Sequence, residues 1–233
     1  MVELIQGLQA PRVAANLAAV REEIAAAAAS AGRLREDRVR VLAATKYLPA
    51  EELPALAAGG VDLVGENRAQ DLERKVAAHG ELFEWHFIGQ LQSRRVRAIA
   101  PLVSLIHSVA SRSTLAELRR HAEIARPGLR ILLEVNVAGE EGKAGIAPEE
   151  LDSYIEDSPL PVAGLMTMPP LSPEPEESRR WFAALRELAA ERALPELSMG
   201  TSQDYPVAVQ EGATIVRIGT RLYDRGAPGP ADY

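Results

Sequence analysis

The 233-residue chain has no cysteine, which excludes disulfides, thiolate chemistry and iron–sulfur clusters. It has no basic excess either. Lys and Arg number 26 against 33 Asp and Glu, and a net charge of -7 argues against nucleic acid or an anionic membrane as the main partner. No apolar run reaches membrane-spanning length. The first residues, Met1 to Gln6, lack the basic-then-apolar layout of a secretory signal. The four histidines, His79, His86, His107 and His121, share no metal-ligand spacing. The stretch Gly139 to Ala144 resembles a nucleotide loop but lacks the Walker spacing and the Ser/Thr after its lysine. These absences predict a cytoplasmic soluble protein with neither metal nor nucleic acid. What is present is apolar residue, 47% of the chain, ample for a sizeable core.

The apolar residues recur in a regular rhythm. A first helix is expected over 11–32, with Pro11 in its first turn, an alanine-rich middle and Gly32 to end it. Short apolar runs follow at 38–45, 61–64, 84–88, 103–107, 129–137, 161–167, 196–199 and 214–218. Amphipathic stretches separate them at 49–58, 67–78, 92–99, 112–125, 148–157, 174–193 and 203–211. Strict alternation of strand and helix implies a parallel sheet with crossover helices. Eight strands favour a single closed (β/α)8 TIM barrel with an extra N-terminal helix; a doubly wound open sheet is the alternative. The tail, 224–233, is rich in Gly and Pro and is expected to fray.

Lys46 ends the apolar run Arg38 to Lys46. A desolvated amine at a barrel strand end has its ammonium form disfavoured and becomes a nucleophile toward carbonyls. A surface lysine snorkelling from a strand end is the plainer reading. At the far end of the chain, Met199 to Ser202 follows the seventh strand and opens a helix, and Gly219-Thr220 follows the eighth. Barrels commonly hold phosphate at these two places. An amine and a phosphate cradle together suggest a Schiff base to a phosphorylated aldehyde. Arg217 lies inside an apolar strand, where a charge needs a partner. That partner is either a structural ion pair with a neighbouring strand or a cofactor ring nitrogen. His86 either stacks on a ring or is a satisfied core histidine. Arg94-Arg95, near a helix start, hints at an anion or forms a solvated face.

Several stretches carry a family resemblance. They are Ala43-Ala44-Thr45-Lys46, Gly65-Glu66-Asn67, Trp85 to Ser93, Ile106 to Val109, Val135 to Lys143, Gly164 to Met168, Leu197 to Ser202 and Val216 to Thr220. In this order they resemble the pyridoxal phosphate homeostasis proteins, single-domain relatives of the alanine racemase barrel domain. The resemblance implies a (β/α)8 barrel with pyridoxal 5′-phosphate on Lys46. It further implies that Ser202, Gly219 and Thr220 hold the phosphate, that Arg217 faces the pyridine nitrogen, and that Asn67 and Met199 line the site. The chain departs from the family at Tyr47, at Arg94-Arg95 and at Thr201, where the family usually has Thr, Asn-Lys and Met.

Two functions are compatible with that pattern. The first is a monomeric carrier that buffers the cofactor and passes it to apoenzymes. The second is a small amino-acid racemase. In the racemases a second base, a tyrosine, comes from an added C-terminal domain. This chain runs only about fifteen residues past its last strand, which favours the carrier. An arginine at the ring nitrogen favours it too, because an unprotonated ring is a weaker electron sink. An aldolase-type barrel using the same lysine fits the spacing but not the set of motifs.

Overall fold

The computed structural model describes residues 4–33 and 39–224. Arg38, at the start of the first expected strand, and residues 225–233 of the expected tail lie outside the described residues. The strands are β1 (Arg40–Ala44), β2 (Leu63–Glu66), β3 (Glu84–Phe87), β4 (Leu105–Val109), β5 (Arg130–Glu134), β6 (Val162–Met166), β7 (Glu196–Thr201) and β8 (Ile215–Ile218). They follow one another in sequence order around a closed parallel barrel. Pairing of β1 with β8, from Arg40↔Ile215 to Ala43↔Ile218, closes the ring and rules out the open sheet.

Side-chain alternation divides each strand between two cores. Leu42, Leu63, Leu105, Leu132 and Ile215 point inward and pack on one another. Ala43, Val64, Ile106, Ile131, Leu133, Val216 and Ile218 point outward into the larger core beneath the helices. Arg40–Glu84 and Arg130–Glu196 ion pairs sit at the N-terminal ends of their strands. Toward the opposite end, an added Cβ at Gly65 would lie 2.5 Å from Leu42 Cδ2, so a larger residue there would require Leu42 to shift.

The helices are α1 (Ala10–Ser30), α2 (Leu53–Ala58), α3 (Ala69–His79), α4 (Val96–Ile99), α5 (Arg112–Arg120), α6 (Leu151–Glu156), α7 (Arg179–Glu191), α8 (Tyr205–Gln210) and α9 (Thr220–Tyr223). Several are shorter than the amphipathic stretches because 3-10 turns take up their ends, as at Ser93–Arg95, Pro148–Glu150 and Pro175–Ser178. The sequence pattern gave no sign of α9.

Helix α1 buries the stripe Val13, Leu17, Val20, Ile24 and Ala27 against α2, α8 and α9. Tyr205 and Arg221 both donate to the carboxylate of Glu23 on this helix. Glu52 accepts from the amides of Gly7 and Leu8, each at 2.7 Å, and so fixes the approach to α1. The contact with α2 is tightest at Gly59, where a Cβ would fall 2.5 Å from Val13 Cγ1. Gly59→Val is therefore expected to lower the unfolding free energy by about 1–3 kcal/mol through overpacking. Urea unfolding with an unchanged midpoint would show that α1 is not held at this point.

Candidate functional site

The C-terminal strand ends converge on a cavity of about 370 Å³. Lys46, Asn67, Ser202, Arg217, Gly219 and Thr220 line it, together with Ala44, Tyr47, Ile88, Met168, Thr201 and Gln203. Six of the seven residues expected from the sequence thus meet in one place. Met199 does not. Its neighbour Ser198 points into the barrel, so Met199 points the other way and is buried in the core beneath the helices. A larger, open depression of about 700 Å³ lies beside α7 among Glu176, Arg179, Arg186 and Glu211. Its charges pair with one another, so it is a salt-bridged surface rather than a site.

Lys46 is exposed, which corrects the expectation of a desolvated amine. Strand β1 ends at Ala44, and a turn closed by the Leu48 amide on the Thr45 carbonyl (2.9 Å) lifts Lys46 to the rim. Its Nζ lies 4.6 Å from the centroid of the Tyr47 ring. The residues beneath it are held firmly. Lys75 and Glu66 form an ion pair with side chains 1% and 0% exposed. Lys75 Nζ also donates to the Thr45 carbonyl at 2.8 Å. The Thr45 hydroxyl donates to Glu66 Oε1 at 2.6 Å, and Glu66 Oε2 accepts from the Asn67 amide at 3.1 Å. One buried pair therefore fixes the residue before Lys46 and the backbone of Asn67. The sequence signal for Lys75 was available: it falls on the buried stripe of α3 with Ala69 and Leu72, where a charge requires a partner.

On the other side, β7 ends in a turn that only glycine takes without strain. Gly200 has φ +89°, and a Cβ there would lie 2.6 Å from that of Ala208. The following helix, expected over 203–211, starts slightly later. It begins at Tyr205, and Asp204 Oδ1 accepts from the Thr201 amide (2.7 Å) and hydroxyl (3.1 Å) first. Ser202 Oγ accepts from the Gly219 amide at 3.1 Å, which ties the two expected phosphate turns together. Gly219 has room: a Cβ would make only ordinary contacts, with Ala44 at 3.8 and 3.9 Å. Tyr223 on α9 donates to the Ala44 carbonyl at 3.1 Å and joins this turn to the end of β1.

Arg217 forms one wall, 6% exposed. One terminal nitrogen donates to the Ser198 carbonyl (2.9 Å) and hydroxyl (2.6 Å), the other to the Thr167 carbonyl (2.9 Å). These partners are neutral, so the ion pair to a neighbouring strand is not what holds it. Burial pulls its pKa down to about 10, against the more distant charges of Asp204 and Glu134, and it stays cationic at neutral pH. Burial likewise pushes Glu134 upward. His86 sits deeper in the barrel, hydrogen-bonded to Glu84 and His107, and does not line the cavity. Arg95 lines a separate cavity of about 220 Å³ with Asn67, Gln90 and Gln92, while Arg94 donates to Gln92 at 3.0 Å.

The site thus offers an accessible amine, hydroxyls beside a glycine amide, and a buried cation. Asn67 Oδ1 is buried with no hydrogen-bond partner among the described residues. Such a set suits a small ligand bearing an aldehyde, a phosphate and a ring nitrogen, and the volume suits one of that size.

The alanine racemase N-terminal domain family matches residues 15–225. A pyridoxal phosphate homeostasis protein of Aquifex aeolicus is 43% identical over 219 residues, covering 89% of this chain and 96% of the relative. The structure of PipY from Synechococcus elongatus with PLP bound is similar at a TM-score of 0.75 and 32% identity. That match covers 91% of this chain and all of PipY (100%). Alanine racemase of Corynebacterium glutamicum shares the fold, with a TM-score of 0.68 and 18% identity, over 99% of this chain and 66% of the racemase.

Lys75→Met leaves the Glu66 carboxylate buried without its cation and is expected to cost about 3–5 kcal/mol. Adding Glu66→Leu should recover much of that loss. Urea unfolding of both variants checks this, and a single variant as stable as wild type would contradict the buried pair.

Proposed function

The chain belongs to the pyridoxal phosphate homeostasis protein family, and on that premise we propose that it binds pyridoxal 5′-phosphate through Lys46 and carries it to apoenzymes. The observation that bears most weight is the convergence of Lys46, Ser202, Gly219, Thr220 and Arg217 on one cavity. Lys46 is the amine that condenses with the aldehyde: a carbon–nitrogen bond forms and water leaves. Ser202 and Thr220 supply hydroxyl donors to the phosphate, and Gly219 leaves the space a side chain would fill. Asn67 lines the same cavity and brings an unused acceptor. Met199 contributes only by packing behind β7.

Bound pyridoxal phosphate supplies an electron sink, whose strength depends on protonation of its ring nitrogen. Arg217 stays cationic at neutral pH, so it would face the ring nitrogen as a hydrogen-bond donor and would not protonate it. That disfavours racemisation and supports a carrier, working as a monomer of one barrel domain. The tyrosines point the same way. Tyr205 is engaged with Glu23, Tyr223 with the Ala44 carbonyl, and Tyr154 lies under Arg112. Among the described residues only Tyr47 is a tyrosine lining the cavity.

Wild-type protein given pyridoxal phosphate is expected to gain a visible absorption band that Lys46→Ala lacks; a band retained in the variant would contradict the assignment. Each phosphate hydroxyl is expected to contribute about 1.5–3 kcal/mol. The Ser202→Ala/Thr220→Ala double variant should therefore lose affinity for pyridoxal phosphate far more than for pyridoxal. Equal losses would put the phosphate elsewhere.

The racemase alternative makes Tyr47 an acid–base group. Loaded protein in deuterated water is expected to exchange the α-proton of L- and D-alanine no faster than free cofactor. Enzyme-like exchange that disappears in Tyr47→Phe would establish the racemase instead.

A further inference from the structure

We propose that Glu84, His86, His107 and Ser198 form a one-directional hydrogen-bond relay through the barrel that positions Arg217 and ends on the Glu84 carboxylate. These four are positioning residues; none of them lines the cavity. The relay is read from the protein alone. Its consequence for the cofactor rests on the reading that Arg217 meets the ring nitrogen.

The chain of contacts is continuous. Arg217 Nη1 lies 2.6 Å from Ser198 Oγ, and Ser198 Oγ lies 2.8 Å from His107 Nδ1. His107 Nε2 lies 2.9 Å from His86 Nδ1, and His86 Nε2 lies 2.9 Å from Glu84 Oε1. Its ends differ in kind. Arg217 faces the cavity, whereas Glu84 is at the start of β3, near the opposite mouth, with its side chain 35% exposed. Both rings are fully buried, 0% exposed, and adjacent, with centroids 5.0 Å apart.

Proton counting fixes the direction. Glu84 is ionised, because the His86 hydrogen bond, aided by Arg40 and Ser104, holds it well below the usual carboxylate range against the cost of burial. An ionised carboxylate only accepts, so His86 Nε2 carries the proton. Burial keeps both imidazoles neutral: it lowers His86 against the pull of Glu84, and it lowers His107 well below the usual value. His86 Nδ1 is then bare and must accept from His107 Nε2–H. His107 Nδ1 is bare in turn and accepts from the Ser198 hydroxyl. That hydroxyl has spent its only proton, so its oxygen accepts from Arg217. His86, His107 and Ser198 each donate once along the line, and Glu84 only accepts. Reversing any one of them sets two protons or two lone pairs face to face in a dry interior, which is costly.

The relay answers how a buried guanidinium with only neutral contacts is kept in one orientation. A line of aligned donors ending on a carboxylate polarises each bond in the same sense. This keeps the guanidinium on the Ser198 side, with its plane fixed at the cavity wall.

The test uses full-length protein with ¹⁵N-labelled histidine and arginine, without added cofactor. NMR at pH 7 is expected to show His86 and His107 both neutral and both in the Nε2–H form. A charged ring, or an Nδ1–H form at either position, overturns the relay. Glu84→Gln keeps an acceptor oxygen for His86 but removes the charge. It is expected to shift the Arg217 guanidinium signals at the far end, while Glu176→Gln on the outer surface leaves them in place. Unmoved Arg217 signals in Glu84→Gln overturn the relay as well. Once pyridoxal phosphate is added, Glu84→Gln should also displace the visible band of the bound cofactor. If wild-type protein takes up no cofactor, the cofactor reading fails, and the two ligand-free measurements still decide the relay.

Discussion

A cation inside a β-barrel is the constraint around which this site is arranged. Arg217 occupies an inward position of β8, one alternation beyond Ile215 in the apolar interior. Among the described residues no carboxylate touches it. Its protons go to the carbonyls of Thr167 and Ser198, to the Ser198 hydroxyl and to the Met168 sulfur. Those contacts draw the ends of β6, β7 and β8 together, and these ends form one side of the cavity. An unpaired charge this deep would be costly. The barrel must therefore close with the hydrogen-bonding groups of several strands in register, and that closure also defines the pocket.

The opposite wall is organised by a second buried charge, the Glu66–Lys75 pair. It anchors Thr45 and Asn67, the residues flanking the exits of β1 and β2, and so determines where Lys46 emerges. The two walls meet through Tyr223, which reaches from α9 to the end of β1. Lys46 itself stays at the rim. An exposed amine can condense with an incoming aldehyde and release it again without the strand ends moving, which suits a protein that both takes and gives its ligand.

Much of this was legible in the sequence. Alternation of apolar runs and amphipathic stretches gave all eight strands and their parallel order, because that pattern is set by burial on both faces of a sheet. The residues that meet at the candidate cavity, Met199 excepted, were legible through motifs at strand ends. What escaped depended on side-chain parity and on contacts distant in sequence. Met199 belongs to the same motif as Ser202, yet β7 alternates and its register with β8 shifts between Ser198 and Thr201. One neighbour therefore enters the interior while the other leaves it. Lys75, Ser198 and His107 were polar residues at core positions. Their meaning lay in partners 9 to 91 residues away, Glu66 for Lys75 and His107 for Ser198. Desolvation of Lys46 was expected from the apolar run before it, but the strand stops two residues earlier.

The central claim is that Lys46, among all the amines of the chain, carries the aldehyde. The most direct measurement is to incubate the protein with pyridoxal phosphate, reduce with borohydride, digest, and locate the modified peptide by mass spectrometry. The account predicts modification at Lys46 with one ligand per chain. Modification at Lys143 or Lys75 in preference to Lys46, or spread evenly over the lysines, would contradict it.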